Sequence, residues 1–139
     1  MARESEVQED GELLWIDTDK PLDRLREDIP KACAANRFGV IATHDLREKL
    51  KEKGIEYGGE CLVFEVCNPQ KAGQVLEADP AISTALPCRI TAFRTKGGGM
   101  RLATLKPTQM LDLFESAGLK GVAAEVEEAL VAIMKEVAV

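Results

Sequence analysis

No uninterrupted apolar run in this chain approaches the roughly 20 residues that a bilayer-spanning helix needs. The N-terminal MARESEVQEDGE has no apolar stretch that could serve as a signal peptide, so the protein is expected to be cytoplasmic, with no membrane partner. A basic stripe is also missing. Eighteen Lys and Arg against 24 Asp and Glu give a formal net charge of -6, which argues against phosphate recognition and hence against a nucleic-acid partner. The four cysteines, at positions 33, 61, 67 and 88, form no C-x-x-C and no C-x-x-C-H. Their spacing removes the thioredoxin-type, zinc-ribbon and c-type haem signatures, and a reducing compartment favours free, metal-bound or transiently redox-active thiols over a disulfide framework. A G-x-G-x-x-G after a strand and a G-x-S-x-G are absent, as is any internal repeat. The glycine run Gly97 to Gly99 lies between two predicted strands and is a turn, not a phosphate cradle.

The 139 residues, 45% of them hydrophobic, suffice for one core and one domain. That single α+β domain is expected over residues 12–139, with residues 1–11 as a flexible N-terminal segment. ELLWID (Glu12 to Asp17) predicts a first strand. A helix should follow, capped by Thr18 or Asp19, with Pro21 in its first turn, and Leu22, Leu25, Ile29, Ala32 and Cys33 as its apolar stripe. Pro30 is expected to kink or divide it. FGVIAT (Phe38 to Thr43) predicts a strand, and Asp45 with Glu48 has the spacing of a capping box for the short helix after it. ECLVFEVC predicts the third strand. Its alternation sets Cys61, Val63, Glu65 and Cys67 on one face and Leu62, Phe64 and Val66 on the other. Asn68 and Pro69 then read as N-cap and first residue of a helix with Ala72, Val75 and Leu76 inward. Leu86 to Thr95 and Met100 to Leu105 predict an antiparallel hairpin. Pro107 opens a helix with Met110, Leu111 and Phe114 inward. Val122, Val126, Leu130, Ile133 and Val137 mark the stripe of a final amphipathic helix. Five strands ending in a hairpin favour an α+β layer over a doubly wound sheet.

Three residues are the expected chemical groups: Cys67, Cys88 and His44. Cys67 directly precedes a helix N-terminus, whose positive dipole end favours the reactive thiolate; the alternative is a cap followed by a small buried thiol. Cys88 starts the next strand. If the two strands are parallel the cysteines lie about 20 Å apart, and if antiparallel they share one end. Cys88, Ile90 and Ala92 form one face, Arg89, Thr91 and Phe93 the other, and the pattern does not say which is buried. His44, the sole histidine, ends a strand and is either a proton shuttle or a hydrogen-bonded strand-end residue. Glu65, Cys61, Asn68 and Arg89 are the expected ligand-binding residues. Mid-strand Glu65 needs water or a partner, with Arg89 or Arg94 across the sheet as the natural choices. Cys61, Cys67, Cys88 and His44 match no compact zinc spacing, so no metal site is assigned, and no cofactor is identified.

Taken together, FGVIATHDLREKLKEKGI, ECLVFEVCNP, LPCRI and PTQML resemble the bacterial and archaeal family called domain of unknown function 302, over about Leu14 to Phe114. CNP (Cys67, Asn68, Pro69) with LPC (Leu86, Pro87, Cys88) is the most specific part; His44 with Asp45, and the E-x-C-N-P that includes Glu65, look like one branch of that family. The resemblance implies a curved, mainly antiparallel sheet backed by helices, of the TATA-box-binding-protein-like type and commonly dimeric. It also implies that the third and fourth predicted strands are antiparallel, bringing Cys67 and Cys88 to one end of the sheet. The family carries no settled activity. Two functions from different classes are therefore expected. One is thiol-based handling of sulfur species, redox equivalents or a soft metal at Cys67 and Cys88. The other is a non-enzymatic, homodimeric ligand-binding or assembly module in which the cysteines are structural.

Overall fold

In the computed structural model, residues 6–114 and 118–139 are described. In chain order the elements are β1 (Gln8–Asp10), β2 (Leu13–Thr18), α1 (Leu22–Ala35), β3 (Gly39–Asp45), α2 (Leu46–Glu52) and β4 (Cys61–Cys67). There follow α3 (Pro69–Ala78), a 3-10 helix (Pro80–Ala85), β5 (Cys88–Arg94), β6 (Met100–Leu105), α4 (Pro107–Leu111) and α5 (Lys120–Ala138).

Local chemistry explains most of these boundaries. Asp45 accepts the Glu48 amide at 3.1 Å and caps α2, and Asn68 accepts the Lys71 amide at 3.1 Å and caps α3, with Pro69 as its first residue. Neither Thr18 nor Asp19 caps α1; its N-cap is Pro21. Thr18 is the last residue of β2, and its hydroxyl is occupied, donating to the Ala138 carbonyl at 2.9 Å and accepting the Lys20 amide at 3.2 Å. Pro30 does not divide α1, which runs unbroken past it with buried Ile29 and Cys33 anchoring both sides.

The sheet has six strands rather than five, in the order β1-β2-β6-β5-β4-β3, every neighbouring pair antiparallel. The additional strand is β1, inside the segment expected to be loose; residues 1–5 of that segment lie outside the described residues. A two-residue turn of Gly11 and Glu12 makes it, with Gly11 at φ 61°, between paired Asp10 and Leu13. Its three residues, Gln8, Glu9 and Asp10, are all exposed, so a polar edge strand carried no apolar alternation to read. β4 and β5 pair antiparallel although α3 and the 3-10 helix lie between them, with Val66 opposite Cys88 and Glu65 opposite Arg89.

Helices cover one face of this open, curved sheet. Leu62, Phe64 and Val66 of β4, Ile90 of β5 and Leu102 of β6 meet Leu25 and Ile29 of α1 and Leu130, Ile133 and Met134 of α5 in the main core. Cys88, Ile90 and Ala92 are therefore the buried face of β5. On the opposite face Arg101 donates to Asp17 at 2.7 Å, and its guanidinium lies 3.6 Å over the Trp15 ring. A second, smaller cluster forms beyond the end of β4 from Val75, Ile82 and Leu119 with Leu86, Leu111, Phe114 and Val122. The gap between these two clusters positions the candidate site.

Candidate functional site

Where β4 ends, the chain turns through Asn68 into α3, comes back along the 3-10 helix, and re-enters the sheet at Cys88. This detour, roofed by α4 and α5, encloses a cavity of about 280 Å³. Cys67 and Cys88 both line it, together with Val66 from the sheet, Ala72 and Val75 from α3, and Val122 and Val126 from α5. At its mouth stand Ile41, 61% exposed, and Leu76, 40% exposed, both large apolar side chains open to solvent. A register shift between Val40 and Ala42 makes Ile41 the bulged residue of β3, and a bulge re-aims a side chain that a regular strand would hold on the pleat.

Both thiols in the wall are held protonated at neutral pH. Burial pushes the Cys67 thiol up, and burial with the neighbouring Cys67 pushes Cys88 up to about 11. Burial therefore works against the thiolate expected from the helix N-terminus at Cys67, because the anion loses hydration there. Cys33 lies in the main core, likewise pushed up to about 11 by burial. All four cysteines are free.

The other expected site residues divide between this cavity and the open sheet face. Asn68 lines the cavity, its Oδ1 committed to the α3 cap. His44 and Glu65 face away from the helices, with His44 Nε2 3.1 Å from Glu65 Oε2. Arg89, although opposite Glu65 in register, forms no side-chain pair with it; it is exposed and borders a smaller recess of about 210 Å³ beside Cys88. Arg94 pairs with Glu60, its Nε 2.7 Å from Oε1. Cys61 is at the far end of β4, about 20 Å from Cys67 along a seven-residue strand, with its sulfur 3.6 Å from the Thr91 hydroxyl. Cys61, Cys67, Cys88 and His44 therefore do not converge, and among the described residues no three His, Cys, Asp or Glu side chains cluster as metal ligands.

The sequence model of the family "Domain of unknown function DUF302" matches residues 16–137. The chain belongs to this family. A DUF302 structure agrees: the crystal structure of an uncharacterized conserved DUF302 protein from Bacillus stearothermophilus superposes with a TM-score of 0.85 at 26% identity, covering 94% of this chain and 100% of the other. No curated protein matches the chain.

Several residues of this DUF302 cavity were not legible as site residues. Val122 and Val126 are visible as an apolar stripe on α5, but nothing in a stripe says that its first turns roof a void while the later ones pack solidly. Ile41 is hidden by the bulge, which no local residue pattern announces. Lys71 carries no sequence signal of a site residue, yet it is the charged residue among those that line the cavity. Among the described residues no helix is long and apolar enough to cross a membrane.

Proposed function

We propose that this protein is a binding protein for a small, predominantly apolar molecule held in the cavity beyond the end of β4. One observation carries the reading: about 280 Å³ of space lined mainly by apolar side chains, with an apolar mouth at Ile41 and Leu76. Such concave, mainly apolar sites with few polar groups are how small ligands are held. The space is on the scale of a small organic ligand rather than of a single water. The protonated sulfurs of Cys67 and Cys88 serve as soft, polarizable wall atoms.

Titration of methyl-labelled protein with 1-octanol tests this. Saturable shifts of the Val75, Val122, Val126 and Met110 methyl resonances are expected, and Ala72→Trp, which fills the space, should remove them. Octanol that leaves these methyls unmoved in the wild type overturns the reading.

A second reading, thiol-based handling of sulfur species, redox equivalents or a soft metal, is favoured by one specific fact: Cys67 and Cys88 are both lining residues of the same cavity, on adjacent antiparallel strands. Coordination of a soft monovalent cation by both sulfurs, with release of two protons, would use the pair as it stands. Stoichiometric cuprous-ion binding that is lost in both Cys67→Ser and Cys88→Ser would support this second reading; equal binding by wild type and double variant would remove it.

A further inference from the structure

We propose that the cavity's ligand is an amphiphilic carboxylate of medium chain length, its tail in the apolar space and its head held by Lys71; this rests on the cavity reading above. The argument is one of charge. Among the described residues that line the cavity, Lys71 is the single charged one, and no aspartate or glutamate is among them. The remaining polar wall groups are Asn68, Ser83 and the two thiols. Asn68 Oδ1 is consumed by the α3 cap, which leaves its amide NH2 as the group able to meet a ligand. The wall surface is almost wholly apolar, so a polar head belongs at its edge, where the Lys71 ammonium complements an acceptor head carrying negative charge.

The resting partner of Lys71 fits that exchange. Its Nζ is ion-paired with Glu125 Oε2, joining α3 to α5 across the roof of the cavity. Lys71 is 27% exposed and Glu125 59%, so the lysine stem runs along the apolar wall while the carboxylate that satisfies it sits largely in water. A surface carboxylate on an exposed glutamate is easily given up, because water rehydrates it at once. A ligand carboxylate entering beside Ile41 and Leu76 can take the Glu125 position on Nζ without uncovering a buried charge. An amine head would meet Lys71 itself and be repelled. An uncharged head would gain no ion pair.

Binding of octanoate, 1-octanol and octylamine, measured by calorimetry at pH 7.5 on wild type, K71M, K71R and E125Q, tests the assignment. Octanoate is expected to bind about tenfold more tightly than octanol, with octylamine weakest. K71M should bring octanoate down to the octanol value, K71R should keep the preference, and E125Q, which frees the ammonium, should strengthen octanoate binding. Added salt should weaken octanoate and leave octanol unmoved. Equal affinity for octanoate and octanol in the wild type, or a preference that survives K71M, overturns the carboxylate assignment while the apolar-ligand reading stands. If neither compound binds, both fall together.

Discussion

The thiol pair gives the sharpest quantitative prediction. The thiolate, not the thiol, attacks an alkylating agent, so the rate at fixed pH follows the thiolate fraction. Cys88 is raised from 9.0 to about 11. A shift of about two units lowers the thiolate fraction near pH 7.5 by about a hundredfold, and burial to 9% exposure adds a steric barrier on top. Iodoacetamide labelling followed by peptide mass spectrometry, in native buffer and in denaturing urea, reads this directly. In urea all four cysteines should label at comparable rates. In native protein Cys88 and Cys33 should fall at least about a hundredfold behind their own unfolded rates, and Cys67 should also be slowed. Between pH 7.5 and 10 the native Cys88 rate should climb about tenfold per pH unit. A native Cys88 rate within about tenfold of the unfolded one would refute the reasoning. Fast native labelling of Cys67 would show that the helix N-terminus does win over burial there, and it would return the site to thiolate chemistry.

Three further outcomes follow from the same structure. Cys33 and Cys88 keep their protons in the folded chain up to about pH 11 but lose them near 9.0 when unfolded. The folded state therefore binds more protons between those values, and stability should be full below pH 9 and decline toward pH 11, by up to about 3 kcal/mol per thiol; urea melts at pH 8 and 10.5 should show the decline, and a Cys33→Val variant that declines just as steeply would contradict it. Phe64, fully buried in the middle of β4, should cost about 3–5 kcal/mol on truncation to alanine, read as a drop in urea midpoint at unchanged m-value. Asn68→Ala should cost about 1 kcal/mol through loss of the α3 cap, and an unchanged midpoint would show that the cap at 3.1 Å contributes nothing.

Much of the fold was legible because its signals are local. Asp45 with Glu48, Asn68 with Pro69, and the strand from Cys61 to Cys67 announce themselves within four to seven neighbouring residues, and the structure has the elements there. β1 gives no local signal because an exposed edge strand needs no apolar face, and α1 is not divided at Pro30 because Ile29 and Cys33 are buried on either side of it. For the site, the two cysteines and Asn68 stood out through cap and strand-start grammar, whereas His44, Glu65 and Cys61 stood out as unusual residue types on one strand face. The cavity gathers the first group and leaves His44, Glu65 and Cys61 on the open sheet face.

The sequence by itself determined the family, the α+β class, the helix caps and which side of β4 is apolar, since each depends on residue identity at short spacing. Antiparallel pairing of β4 and β5 was already implied by the family resemblance, and only the tertiary structure decided that the detour between them stands away from the core and that a void opens there beside Cys67, Cys88 and Lys71. The physical reason is that a cavity is a failure of distant surfaces to meet. No residue encodes it: it arises where the main core and the small cluster around Val75 and Ile82 each close on themselves and leave the space between them unfilled.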